Sequence, residues 1–225
     1  MHKWGVSGEL QLLAGGHRNR VLRANDVVFK STTRSSKAIT WLTEIHQCAR
    51  SAGFLVPELL ESEDGNLVES GWTCEQYVRG EQIHACEKAA LRPYLASFHS
   101  ATSSIPQRPG FRSSVELLAL PSGGDVDLDA MPRELVKKCR QAWAAVSNRQ
   151  TAVIHGDLNS ANIIKTKDGG IALIDWDECR RDLTLFDLGV VSDDDDGAKR
   201  ARLAWEIACS WLVEPGRAQN LAHSF

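Results

Sequence analysis

Residues 153–162 read Val-Ile-His-Gly-Asp-Leu-Asn-Ser-Ala-Asn and place an acid, Asp157, five positions ahead of an amide, Asn162. A second acid, Asp175, follows Asn162 by thirteen positions at the end of a short apolar run, and Trp176 and Asp177 come next. These residue types suit phosphoryl transfer. An attacking hydroxyl needs a carboxylate to orient it and take its proton. A Mg2+ bridging phosphates needs oxygen ligands, which an Asp and an Asn supply. A hairpin between Asn162 and Asp175, turning at Asp168-Gly169-Gly170, would bring all three groups to one end of one structural unit.

The elements that must hold these groups are legible from periodicity. Residues 10–13, 20–24 and 27–31 read as strands around a Gly15-Gly16 turn and an Asn25-Asp26 turn. Residues 35–52 carry Ala38, Ile39, Leu42, Ile45 and Ala49 at helical spacing, with Gly53 and Pro57 ending the helix. Strands are expected over 59–62, 67–70 and 73–78, and a helix over 85–102. A Pro-, Ser- and Gly-rich stretch covers 103–124, and a helix is expected over 131–147. Short apolar runs at 152–154, 162–165 and 171–174 follow, then a helix over 198–213. The class is α+β: a strand-rich first part with one helix and a mostly helical remainder with a small hairpin. The boundary between the two falls near Arg79 and Gly80, giving lobes 1–79 and 80–225.

His155-Gly156-Asp157-Leu158-Asn159-Ser160-Ala161-Asn162 shares its Asp-to-Asn spacing with the kinase catalytic loop. Together with Ile174-Asp175-Trp176-Asp177 it resembles the aminoglycoside phosphotransferase and choline kinase family, whose fold is the bilobal protein-kinase-like one. The resemblance implies that Asp157 is the catalytic base, that Asn162 and Asp175 hold Mg2+, and that His155 braces the loop. Phe186-Asp187-Leu188-Gly189 is similar to a later family element, which implies that Asp187 supports that loop. Gly15-Gly16 resembles the family's glycine-containing loop over the nucleotide phosphates. Lys30 is the one lysine of its strand, and Glu44 lies fourteen residues on, where the kinase Lys-Glu ion pair would place it. Glu75-Gln76-Tyr77-Val78 fits the hinge whose backbone would meet an adenine edge, so Glu75 and Tyr77 join the nucleotide-binding set. Asn159 stands where the family commonly has His, and is a candidate substrate or second-metal residue beside Asp177.

The reading that follows is Mg-dependent transfer of the γ-phosphate of ATP or GTP to a hydroxyl of a small molecule, such as an aminoglycoside-like antibiotic, an amino alcohol or a sugar metabolite. The alternative is a nucleotide-binding regulatory module without turnover. It draws on the short helical region before residue 153 and the short tail after Gly189. No D-F-G or A-P-E element accompanies the motif, which argues against a protein kinase.

The 225 residues carry 26 basic and 29 acidic side chains, a net charge of −3, which argues against gripping a nucleic acid backbone. No apolar run reaches the roughly 18 residues of a membrane helix, and the first residues lack the apolar core of a signal peptide, so the cytoplasm is the default compartment. Cys48, Cys74, Cys86, Cys139, Cys179 and Cys209 form no C-x-x-C pair and read as reduced, mostly buried thiols. The run Asp193 to Asp196 is read as the cap of the last helix in preference to an acidic substrate rim. Arg180, Arg181 and Asp182 read as a surface ion-pair cluster, and His99 as a structural histidine.

Overall fold

The structure is a computed structural model that describes residues 2–13, 19–189 and 195–225. In chain order it forms β1 (Gln11–Leu12), β2 (Val21–Ala24), β3 (Val27–Ser31), α1 (Ser36–Ser51), β4 (Leu59–Leu60), β5 (Trp72–Gln76), β6 (Glu81–Gln82) and α2 (Arg92–Ala101). There follow β7 (Ser122–Gly123), β8 (Val126–Asp127), α3 (Arg133–Ala144), β9 (Thr151–Ile154), β10 (Ile163–Lys165), β11 (Ile171–Leu173), β12 (Arg180–Leu183), α4 (Leu185–Leu188), α5 (Asp196–Ser210) and α6 (Pro215–His223). The chain is α+β, with an antiparallel sheet in its first part and helices dominating the rest. It divides into two compact units: Met1–Ile83 with Ser160–Ile174, and His84–Asn159 with Asp175–Phe225.

The first unit is built on a five-stranded sheet in the order β1-β2-β3-β5-β4, every neighbouring pair antiparallel. Phe29 and Cys74 are fully buried in its core, and the Trp4 ring meets Phe29 edge-on at 5.6 Å. Helix α1 starts where Ser35 caps it, the hydroxyl accepting from the Ala38 N–H. It buries Ala38, Ile39, Leu42, Ile45 and Ala49 along one face. No strand forms at 67–70. Ser70 and Gly71 both adopt left-handed φ, 51° and 78°, and the Glu69 and Trp72 backbones exchange hydrogen bonds across them. The segment is therefore a tight two-residue turn feeding β5.

The hairpin of β10 and β11, expected in the second lobe, belongs to the first unit. Strand β6 pairs with β10, and the backbone of Leu55 exchanges hydrogen bonds with Ile171 and Leu173. One boundary near Gly80 therefore does not describe the division, because the chain returns to the first unit for residues 160–174.

The second unit packs α3 and α5 around Trp143, Trp205, Ile207 and Ala208, all buried. The helix expected over 85–102 is broken: a 3-10 stretch spans Ala85–Leu91, and α2 begins at Arg92 with Pro93 in its first turn. There the missing N–H of proline costs nothing, whereas inside one continuous helix it would remove a bond and clash with the preceding turn. Helix α5 ends at Ser210, and Pro215 opens α6, which periodicity had not revealed. Asp195 caps α5 by accepting from the Ala198 N–H and also pairs with Arg149; Asp193 and Asp194 lie outside the described residues. Arg180 and Asp182 are not surface charges. They sit on β12, paired antiparallel to β9, and are 1% and 0% exposed. All six cysteines are free, and Cys86 alone among them is exposed.

Candidate active site

In the second unit the chain leaves β9 at Ile154 and enters the loop His155-Gly156-Asp157-Leu158-Asn159. Gly156 takes φ +87°, the left-handed region that favours glycine. Asp187 anchors the loop from below. Its carboxylate accepts from the His155 N–H at 2.9 Å and from the Gly156 N–H at 3.0 Å, and it meets His99 Nε2 at 3.0 Å. Asp187 is wholly buried. Burial alone would raise its carboxyl above the ordinary range. The hydrogen bond and charge of His99, the charge of His155 and the Gly156 N–H outweigh that and hold it below its usual value.

His155 is itself buried. Its Nδ1 accepts from the Asp157 N–H at 3.3 Å, and its ring lies 4.6 Å from that of Trp176. The half-buried Asp157 carboxylate receives a hydrogen bond from the Asn159 side-chain amide, Nδ2 to Oδ1, at 3.0 Å. Asn159 is thus in direct contact with the acid in this sequence.

Asp175 adopts φ +63°, one of three non-glycine residues with positive φ among those described. Asp is one of the few side chains that tolerates this conformation, and strain of this kind gathers at sites held in place by their surroundings. The turn after it is fixed by a residue that sequence reading missed. Arg108 is 1% exposed, and its Nη1 donates to the carbonyls of Trp176, Asp177 and Cys179 at 3.3, 2.8 and 3.1 Å. It lies in the stretch read as a loop between helices, where nothing in composition marks an arginine as buried.

In the first unit, Asn162 is 7% exposed and its carbonyl accepts from the Ile174 N–H at 3.0 Å, which closes the base of the β10–β11 hairpin. Lys30 Nζ lies 2.8 Å from Glu75 Oε1. This corrects the expected Lys30–Glu44 pair. In the β3–β5 register Lys30 faces Thr73 and Val28 faces Glu75, so Lys30 and Glu75 are diagonal neighbours on one face of the sheet. Glu44 lies on the exposed side of α1. Glu75 is accordingly a strand residue whose side chain carries an ion pair, and the segment leaving the sheet begins at Tyr77. The Tyr77 N–H donates to the Asp26 carbonyl at 2.8 Å, and its ring lies under the Arg23 guanidinium at 3.7 Å. Gly15 and Gly16 lie outside the described residues.

No group of three or more His, Cys, Asp and Glu side chains able to hold a metal ion is assembled among the described residues. Asn162 in the first unit and Asp175 in the second each carry side-chain oxygen, a donor type that suits a hard divalent cation and not zinc or another thiolate-seeking metal.

Comparison with known proteins follows the same lines. Residues 9–219 match the model of the phosphotransferase enzyme family APH. No curated protein matches. Among solved structures, the chain is similar to a microcompartment-associated aminopropanol kinase at 14% identity and a TM-score of 0.65, covering 99% of this chain and 91% of that one. It is similar to a thermostable mutant of aminoglycoside phosphotransferase APH(4)-Ia at 16% identity and a TM-score of 0.63, covering 99% and 97%. It is also similar to an amicoumacin kinase in complex with AMP-PNP and Ca2+, at 16% identity and a TM-score of 0.60, covering 95% and 78%. At these identities the likeness is one of fold, the protein-kinase-like fold of small-molecule kinases.

Proposed function

We propose a function from one premise: the chain belongs to the APH phosphotransferase enzyme family. It transfers the γ-phosphate of ATP or GTP to a hydroxyl of a small molecule. The observation that carries this reading is the Asp157 loop, anchored by Asp187 through two backbone N–H groups and oriented at its acid by Asn159.

In the proposed reaction Asp157 orients the acceptor hydroxyl and takes its proton as the oxygen attacks the γ-phosphorus. The bond from that phosphorus to the bridging oxygen breaks, and the nucleoside diphosphate leaves. Lys30, held by Glu75, contacts the α- and β-phosphates. Asn162 and Asp175 would hold Mg2+, which neutralises charge building on the phosphate oxygens. Tyr77 and the segment after it line the approach of the base. Asp177 contacts the acceptor. Glu44, exposed on α1, has no part in this scheme.

The structural neighbours that are an aminopropanol kinase and an aminoglycoside phosphotransferase suggest acceptors that combine an amine with a hydroxyl. The test is incubation with Mg-ATP or Mg-GTP and a panel of amino alcohols, aminoglycosides and sugars, read by mass spectrometry for a phosphorylated product. We expect a product from at least one acceptor bearing both groups, and none with Asp157→Ala. A panel without product, in a protein that binds Mg-nucleotide tightly, would favour the regulatory module instead.

A further inference from the structure

Gly156 is gripped from two sides. Its N–H is taken by Asp187, and the space beside its Cα is filled by the Glu178 carbonyl and the Arg180 side chain. A Cβ placed at Gly156 would lie 2.7 Å from the Glu178 carbonyl oxygen and 2.9 Å from Arg180 Nη1. Arg180 stands opposite Ile154 in the β9–β12 ribbon, directly below the point where the chain turns into the Asp157 loop. Its Nη1 also donates to that same Glu178 carbonyl at 3.1 Å.

The guanidinium is itself tightly held. Its Nε donates to Asp182 Oδ2 at 2.9 Å, and its carbon sits 3.4 Å from the centroid of the Trp205 ring. Asp182 in turn accepts from the Ser114 N–H, the Ser114 hydroxyl and the Leu183 N–H, so the pair is fixed to the Ser114 segment and to its own strand. Arg180 Nη2 is buried without a hydrogen-bond partner. A fully buried ion pair is weak in net stability and can often be replaced by apolar side chains without loss. An arginine that tolerates an orphaned nitrogen against the one glycine preceding the acid points to a role in placing that acid.

We propose that Arg180, clamped by Asp182, is a positioning residue: it fixes the Gly156 backbone and so sets where the Asp157 carboxylate stands. The inference rests on the reading of Asp157 as the base. Displacing a catalytic group by about 1 Å can cost on the order of a hundredfold in rate, while nucleotide affinity depends on other residues.

The experiment uses the full chain with Arg180→Lys, Arg180→Met combined with Asp182→Asn, and Asp157→Asn. ADP release from Mg-ATP, with water or ethanolamine as acceptor, is measured per nucleotide-binding site. Arg180→Lys keeps the charge on Asp182 and loses the planar contact with Trp205 and Glu178. We expect it to remain folded, with kcat at least tenfold lower and KM for Mg-ATP within about twofold of wild type. Arg180→Met combined with Asp182→Asn, which leaves no buried charge unpaired, should show the same split more deeply. Folded variants that keep wild-type kcat would overturn the proposal. Loss of fold in both would make Arg180 a residue of the fold and overturn it equally. Wild-type turnover in Asp157→Asn would instead bring down the reading of the base, and the inference with it.

Discussion

Asn159, at the position where the family resemblance leads one to expect His, meets the acid directly. Its amide donates to Asp157 Oδ1, the sort of contact that holds a carboxylate in one rotamer. Because Asn159 is exposed, its removal should leave the fold intact. We expect Asn159→Ala to lower kcat about tenfold with Mg-nucleotide affinity unchanged, as measured by steady-state turnover beside titration calorimetry. Thiol chemistry offers a second check at this scale. Burial pushes the Cys74 and Cys139 thiols up to about 12, and Cys179 is raised as well, so none of the three presents a thiolate in the native state. Titration of the native protein with a chromogenic disulfide should modify Cys86 first and these three only on unfolding. Asp187 adds a pH dependence. Its carboxyl is held below the ordinary value of about 3.9, so its contribution to stability is complete above that pH. It is lost as pH falls through the lower, folded-state value. Chemical denaturation between pH 6 and 2 should show wild type losing stability below about pH 4, a loss that is smaller in Asp187→Asn.

At the scale of elements, apolar periodicity found what it can find. The faces of α1 and α3, the strands β2 and β3 and the β10–β11 hairpin were all legible, because each buries hydrophobic side chains at its own period. The failures share a cause. Strand β12 alternates a buried Arg180 with a buried Asp182, so its inward face is charged and reads as surface. The Lys30 partner depends on the β3–β5 register, which local sequence does not encode: spacing points to Glu44, and the register supplies Glu75. Arg108 acts across a long stretch of chain, holding the turn after Asp175, whereas His99, read as a structural histidine, is one, buried against the anchor Asp187. The phosphoryl-transfer reading came from residues 155–162 and Asp175 alone, because that chemistry demands fixed residue types at short spacing. The cap of α1 gives a prediction here: Ser35→Ala should cost about 1 kcal/mol of stability in urea unfolding, with no effect on kcat.

For the whole molecule, folding and ligand binding are linked. A ligand that binds only the folded state at 100 times its dissociation constant adds roughly 2.7 kcal/mol. Mg-ATP or Mg-GTP should therefore raise the melting temperature of wild type, and Asp175→Ala should lose that rise if Asp175 holds the metal. No helix among the described residues is long and apolar enough to cross a membrane.

The account stands most directly on Asp157. The decisive measurement is the rate of phosphoryl transfer by Asp157→Ala beside wild type, on protein whose Mg-nucleotide affinity has been measured in the same preparation. Loss of a general base typically lowers the rate by 10²–10⁴-fold. We predict a fall in that range with nucleotide affinity within about twofold of wild type. A variant that binds nucleotide and still transfers phosphate at the wild-type rate would contradict the account.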